Sequence, residues 1–188
     1  MKTTIYMIRH AKSPFVFGQE RTRGLSEKGL MDAKKIAERF KDIHIDAIVS
    51  SPYTRVIQTV RFLSESKYLP IIEYEDLRER PIKGLDYRIS EEDLLNAIEQ
   101  SFIDKNYCLA GGESTIAAQA RAIPVIESLL KDYEGREIVM GTHGNIMTII
   151  MNYYNDEYGY DFWRSTSMPD VYRLTFSNRE LEAVKRFW

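Results

Sequence analysis

Short apolar, β-branched runs that alternate with segments of helical periodicity constrain this chain more than any other feature. Thr3 to Ile8, Asp46 to Val49, Leu69 to Tyr74 and Glu137 to Met140 read as buried strands. Between them, Leu30, Ala33, Ile36, Ala37 and Phe40 recur at three- and four-residue spacing and predict a helix over 26–41, with Ser26 as its N-cap. Ser50, Ser51 and Pro52 supply a cap and a first-turn proline for a helix that buries Val56, Val60 and Leu63. Ser90 to Phe102 and Asn145 to Tyr153 read as further helices. Glu113 opens a long pattern through Ala117, Ala120, Ile123, Ile126 and Leu130, in which Pro124 is expected to kink or break the helix. Val171 to Phe176 and Leu181 to Lys185 suggest a terminal hairpin around Ser177 and Asn178. Strands separated by helices predict an α/β fold: a three-layer sandwich with a mostly parallel sheet and helices on both faces. Repeats, low-complexity tracts and Gly/Ser linkers are missing, so a single domain over 1–188 is expected, with 79–112 as the candidate lid insertion.

Open sheets of this kind bind ligands beyond the carboxyl ends of their strands. Arg9-His10, Ser50 to Arg55 and Thr142-His143-Gly144 each directly follow a predicted strand, and two of the chain's three histidines fall there. A single histidine at a strand end has an ordinary structural explanation, and His44, in the polar loop from Lys41 to Asp46, is assigned to it. The joint occurrence points to phosphoryl chemistry. Arginine pairs bidentately with phosphate oxygens and stays charged, so Arg9 and Arg55 could neutralise a phosphate dianion. Imidazole can attack phosphorus and leave again near neutral pH, so one histidine can be the nucleophile. The other, protonated in the field of the phosphate, would donate to a nonbridging oxygen. The helix after His143-Gly144 would aim free backbone N–H groups at the same anion.

Composition removes several alternatives. The 26 Lys and Arg against 28 Asp and Glu give a net charge of -2 with no basic run, which argues against a nucleic-acid partner. No apolar stretch approaches a membrane span, and Ile5 to Ile8 is too short for a signal-peptide core, so a cytoplasmic protein without a membrane partner is expected. Cys108 is the only cysteine, which excludes an intrachain disulfide and a cysteine-based metal site. Ser114 stands six residues after Cys108 where a cysteine phosphatase would need arginine. Gly24 to Gly29 mimics P-loop spacing, but Leu30 replaces the lysine that would reach phosphate. Three scattered histidines give no zinc spacing, so no metal is required.

The residues resemble the histidine phosphatase superfamily, which includes cofactor-dependent phosphoglycerate mutases, broad-specificity acid phosphatases and small phosphohistidine phosphatases. The matching stretches are IYMIRHAKS at 5–13, LSEKG at 25–29, IVSSPYTRVIQT at 48–59, LRERPIKG at 77–84, GGES at 111–114 and VMGTHGNI at 139–146. The resemblance implies that His10 is the phosphorylated nucleophile and that Arg9, Arg55 and His143 bind the phosphate. It places the proton donor to the leaving group on Glu79, and Ser13 where relatives often carry a phosphate-binding hydroxyl. Gly144 joins the substrate-binding residues through its place at the helix start, and Glu113 is expected to cap its helix. The sequence departs from the family at Ala11, where glycine is usual, and at Phe15, Val16 and Phe17, where an asparagine is often found. A carboxyl beside bound phosphate has its ionised form disfavoured, which suits a proton donor.

The expected activity is hydrolysis of a phosphomonoester on a small phosphorylated metabolite through a phosphohistidine, with no metal and no cofactor. The resembling mutases are longer than this 188-residue chain, which favours a phosphatase. A phosphohistidine protein phosphatase, a phosphoglycerate mutase-type transferase and a non-catalytic phosphate-sensing module are the alternatives. The last would use the aromatic stretch from Tyr153 to Trp163 as an interface, although cover for the core explains those rings as well. A homodimer is left open.

Overall fold

The computed structural model describes residues 1–188. Its strands are β1 (Lys2–Arg9), β2 (Ala47–Ser50), β3 (Ile71–Glu73), β4 (Glu137–Thr142), β5 (Asp170–Ser177) and β6 (Glu180–Arg186). Its helices are α1 (Glu27–Arg39), α2 (Thr54–Lys67), α3 (Glu91–Ile103), α4 (Thr115–Asp132), α5 (Gly144–Tyr154) and α6 (Tyr160–Ser165). The six strands form one mixed sheet in the order β3-β2-β4-β1-β5-β6. The first four are parallel, and β5 and β6 extend one side as antiparallel neighbours. The parallel part follows from crossovers through helices, whereas the short connection at Asn178 and Arg179, both at positive φ, can only turn the chain back on itself.

Successive side chains on a strand point to opposite faces, so an apolar run such as Ile5 to Ile8 feeds two cores at once. Ile5 and Met7 pack with Ile126 and Leu129 of α4 and Ile146 and Ile149 of α5. Tyr6 and Ile8 pack with Ile36 of α1, Phe40, and Val60 and Leu63 of α2. A third, small cluster of Ile82, Ala97 and Ile98 gathers Leu94, Leu109 and, from α6, Tyr160 and Trp163. No helix is long and apolar enough to cross a membrane.

Several local expectations change. α4 runs unbroken through Pro124. Burial of Ile123, Val125 and Ile126 around it outweighs the lost backbone bond, a penalty of roughly 3 kcal/mol for an interior proline. Ser114, not Glu113, caps that helix, its Oγ accepting from the Ala117 N–H at 3.2 Å. Glu113 instead forms a two-oxygen pair with Arg121 at 2.8 and 2.7 Å, since the arginine fork satisfies a carboxylate better than a helix terminus does. Pro52 lies just before α2, whose N-cap is Tyr53, and is not in its first turn. The third strand shrinks to Ile71–Glu73 because it is an exposed edge with one partner. The aromatic stretch contains α6 and largely serves as cover: Tyr154 meets Phe176 at 5.2 Å and Phe162 meets Tyr172 at 5.0 Å.

Candidate active site

Strand register assembles the site. Arg9 pairs with Thr142 across β1 and β4, and the His10 N–H donates to the Thr142 carbonyl at 3.0 Å. His10 and His143 therefore leave neighbouring parallel strands at the same level. Ser50 pairs with Gly141, and the Ser51 N–H donates to the Gly141 carbonyl at 3.1 Å, which brings the start of α2 alongside. The result is a packed row. The His10 and His143 rings meet edge to face at 5.4 Å, Tyr53 meets His143 at 5.0 Å, and the Arg55 guanidinium lies over Tyr53 at 5.1 Å.

His10 Nδ1 lies 2.8 Å from the Ala11 carbonyl oxygen. A carbonyl can only accept, so Nδ1 carries the proton and Nε2 keeps its lone pair. Burial, and next the charge of Arg55, push the His10 pKa down to about 3, against the opposing pull of the Ala11 carbonyl. The imidazole is thus neutral at ordinary pH. Thr59, one turn beyond Arg55, holds the loop behind His10: its Oγ1 accepts from the Ala11 N–H at 3.0 Å and donates to the Arg55 carbonyl at 2.7 Å.

His143 is fully buried, and burial followed by the charge of Arg55 lowers its pKa well below the ordinary value. Desolvation and the surrounding arginines penalise a second cation there, so the expected protonation would have to come from the field of a bound phosphate. Its Nε2 is 2.8 Å from Ser51 Oγ. Ser51 Oγ also accepts from the Tyr53 N–H at 3.4 Å; a Ser51 proton directed to Nε2 would put the His143 proton on Nδ1, which has no partner in the protein. A neutral N–H donor survives without a charge.

The two arginines are anchored at their outer ends. Arg9 Nη1 donates to the Thr166 carbonyl at 3.1 Å and to Thr166 Oγ1 at 2.5 Å. Arg55 Nη1 donates to the Glu20 carbonyl, and Nη2 to Glu20 Oε2 at 3.2 Å. Burial lowers the pKa of both, yet guanidinium remains charged. Arg9 Nε, Arg55 Nε and His143 Nδ1 are buried without any partner in the protein. Buried polar nitrogens are nearly always paired in native proteins, so these three are donors that an anion could engage.

The remaining expected residues fall differently. Glu79 does not stand away from the helix start: Oε1 accepts from the Arg80 and Ile146 N–H groups at 2.9 and 2.8 Å, and Oε2 from Asn145 at 3.2 Å. Those N–H groups of α5, expected to meet the anion, go to Glu79 instead, because a carboxylate is already within reach of the positive end of the helix. Its Oε2 has a single donor. Glu79 also lies close enough to favour the charged forms of Arg9 and Arg55. Ser13 Oγ donates to the Gly24 carbonyl at 2.7 Å and accepts from Arg23 Nη1 at 2.7 Å, so its one proton is committed to the loop. Gly144 supplies space: a Cβ there would lie 2.7 Å from Arg9 Cζ and Nε. Gly144→Ala should displace Arg9 and lower kcat/KM roughly tenfold with an unchanged fold, checked by kinetics beside circular dichroism. His44 is exposed, 3.1 Å from Asp46 Oδ1, away from these residues.

Sequence reasoning did not single out Glu20, Arg23 or Thr166. Thr166 is 157 positions from Arg9, and no local pattern announces such a contact. Arg23, beside the LSEKG stretch, could have been noticed for its charge alone.

A family model described as histidine phosphatase superfamily (branch 1) matches residues 5–187. The metal-independent phosphoserine phosphatase of Arabidopsis thaliana is 29% identical over 160 residues, 79% of this chain and 67% of that protein. The phosphatase PhoE of Bacillus subtilis, itself uncharacterized, is 25% identical over 147 residues, 76% of this chain and 72% of that protein. Among solved structures, a mycobacterial glucosyl-3-phosphoglycerate phosphatase superposes with a TM-score of 0.75 at 20% identity, covering 99% of this chain and 97% of its own. A phosphoglycerate mutase from Bacillus anthracis gives 0.75 at 17% identity, covering 98% of this chain and 92% of its own.

Proposed function

Because the chain belongs to the histidine phosphatase superfamily, branch 1, we propose that this site hydrolyses the phosphomonoester of a small metabolite in two steps, with His10 Nε2 as nucleophile. The observation that carries the proposal is the Nδ1 hydrogen bond of His10 to the Ala11 carbonyl, which leaves Nε2 as the unprotonated nitrogen. In the first step Nε2 attacks phosphorus, the bond from phosphorus to the ester oxygen breaks, and the departing oxygen takes a proton from Glu79. In the second, water attacks the phosphohistidine, gives its proton to Glu79, and the P–N bond breaks to return neutral His10 and inorganic phosphate. Arg9, Arg55 and the Nδ1–H of His143 hold the nonbridging oxygens through both steps and stabilise the charge that develops there.

Helices on both faces of the sheet are read as the outer layers of a three-layer sandwich within one domain over 1–188. Segment 79–112 is read as a lid over the leaving group, since Ile82, Ala97 and Ile98 form a small cluster of their own with α6, joined to the larger core through Phe102. No metal or cofactor enters the chemistry.

Glu79→Gln tests the proton transfer. Alkyl and sugar phosphates should slow on the order of 10²-fold, whereas p-nitrophenyl phosphate, whose phenolate leaves unaided, should slow much less. Burst kinetics run alongside identify which step limits. Equal rates of Glu79→Gln and the parent on alkyl phosphates would move the role to another group. Failure of the unaltered protein to hydrolyse any phosphomonoester while still binding phosphate would replace catalysis by sensing.

A further inference from the structure

Glu20 places a carboxylate inside the group of arginines that the phosphatase reading assigns to an anion. The arginines stabilise a carboxylate there, but it competes with a ligand anion for the same cations. The contacts of Glu20 define which nitrogens it takes. Nη1 and Nη2 form the end edge of a guanidinium, and Nε and Nη2 form the side edge. The backbone carbonyl and Oε2 of Glu20 take the end edge of Arg55, through Nη1 and Nη2, with the second contact at 3.2 Å. The side edge keeps Nε without a partner in the protein.

The charge of Glu20 is answered from another direction. Arg23 donates from Nε to Glu20 Oε1 at 3.2 Å and from Nη2 to Oε2 at 3.5 Å. Arg23 is itself held by Nη1 on the carbonyl of Ser13 at 3.2 Å and on its hydroxyl at 2.7 Å. The carboxylate therefore bridges two arginines that repel each other, and Arg23 neutralises it, so the positive charge of Arg55 stays available to a second anion. The side chain of Arg55 is 1% exposed and that of Glu20 23%, so the guanidinium lies in a dry setting where geometry is strongly enforced while the carboxylate reaches the site's edge. The backbone on either side of Glu20 is also tied down: the Arg23 N–H reaches the Gln19 carbonyl at 2.9 Å, and the Leu25 N–H donates to Gln58 Oε1 of α2 at 2.7 Å.

We propose that Glu20 is a positioning residue for the phosphate-binding arginine: by occupying the end edge of Arg55 it presents the Nε/Nη2 edge to the phosphoryl group beside His10. Glu20 touches neither the phosphate nor the nucleophile. It acts through Arg55, with Arg23 as its counter-charge and Ser13 as the anchor of Arg23. The inference rests on the phosphatase reading for its catalytic consequence, but its effect on anion binding stands apart from turnover.

The test compares Glu20→Ala and Glu20→Gln with the unaltered protein in three measurements: steady-state hydrolysis of p-nitrophenyl phosphate, binding of inorganic phosphate by calorimetry, and thermal melting. Glu20→Ala should lose roughly tenfold or more in kcat/KM, with kcat falling as well as KM rising, because a mis-aimed guanidinium fails most where charge develops. It should bind phosphate more weakly by a similar factor at temperatures well below its Tm, which should itself fall because two largely buried arginines lose their counter-charge. Glu20→Gln, which keeps an oxygen acceptor for Nη2, should recover most of both losses. Tighter phosphate binding in Glu20→Ala with kcat unchanged would overturn the proposal, making Glu20 a competitor of the phosphate. Equal losses in Glu20→Ala and Glu20→Gln would also overturn it, reducing Glu20 to a structural anion. Should the unaltered protein hydrolyse no ester, the functional reading fails by itself, and phosphate affinity across the three proteins still decides the role of Glu20.

Discussion

His10→Ala is expected to remove at least about 10³-fold of the turnover of every phosphomonoester, because the covalent intermediate has no other site to form on. His143 cannot substitute. Its Nε2 is engaged by Ser51 Oγ at 2.8 Å, and its Nδ1, read as protonated, offers the phosphate a donor and no lone pair. Rapid acid-free quench of the unaltered protein with labelled substrate should trap phosphate that is stable to alkali and released by acid, and His10→Ala should trap none. The pH dependence carries a further expectation. The folded pKa of His10, at about 3, lies far below its ordinary value, so the nucleophile stays unprotonated as pH falls through 6.5. An acid limb of kcat/KM near pH 6 then belongs to the second ionisation of the phosphate ester and should shift with the ester, which kinetics on a series of leaving groups checks. A limb that stays fixed near 6.5 for all esters would assign that proton to His10 in the free enzyme and overturn its lowered pKa, though not its place as nucleophile.

Arg55→Ala is expected to lower kcat/KM by roughly 10³-fold across all substrates, and Arg55→Lys by nearly as much. A lysine keeps the charge but is a single point. It cannot hold the Glu20 carbonyl and carboxylate on one edge while offering another to the phosphate. Vanadate inhibition should weaken in parallel with catalysis, since both read the same oxygens. Arg55 also depresses the pKa of His10, so in Arg55→Ala that pKa should move upward, toward the ordinary histidine value. Titration of the His10 ring by nuclear magnetic resonance measures the shift. Losses confined to particular leaving groups would put Arg55 on the ester side of the site.

How far the sequence alone reaches is visible in the same residues. Arg9, His10 and His143 were legible because they stand at the ends of apolar runs, and Arg55 because it closes the segment Ser50 to Arg55 that follows another, and parallel strands bring their carboxyl ends to one edge whatever the loops do. The two helices capped by Ser26 and Ser90 were legible for the same local reason: the cap oxygen, at 3.1 and 3.0 Å from its N–H, acts within one turn. α6 was not legible, since six residues without a buried member carry no periodicity. Nor was the continuity of α4, where burial of side chains distant in sequence overrides the cost of Pro124. Tertiary structure alone decided which way each site group faces. The Thr166 contact that anchors Arg9, the diversion of two α5 N–H groups to Glu79, and the choice of guanidinium edge by Glu20 all join residues 35 to 157 positions apart. Sequence determines which charges and protons are present near the strand ends. Their hydrogen-bond partners, and with them the tautomers and the nitrogens that have no partner in the protein, are determined only when the sheet register closes and water is excluded around them.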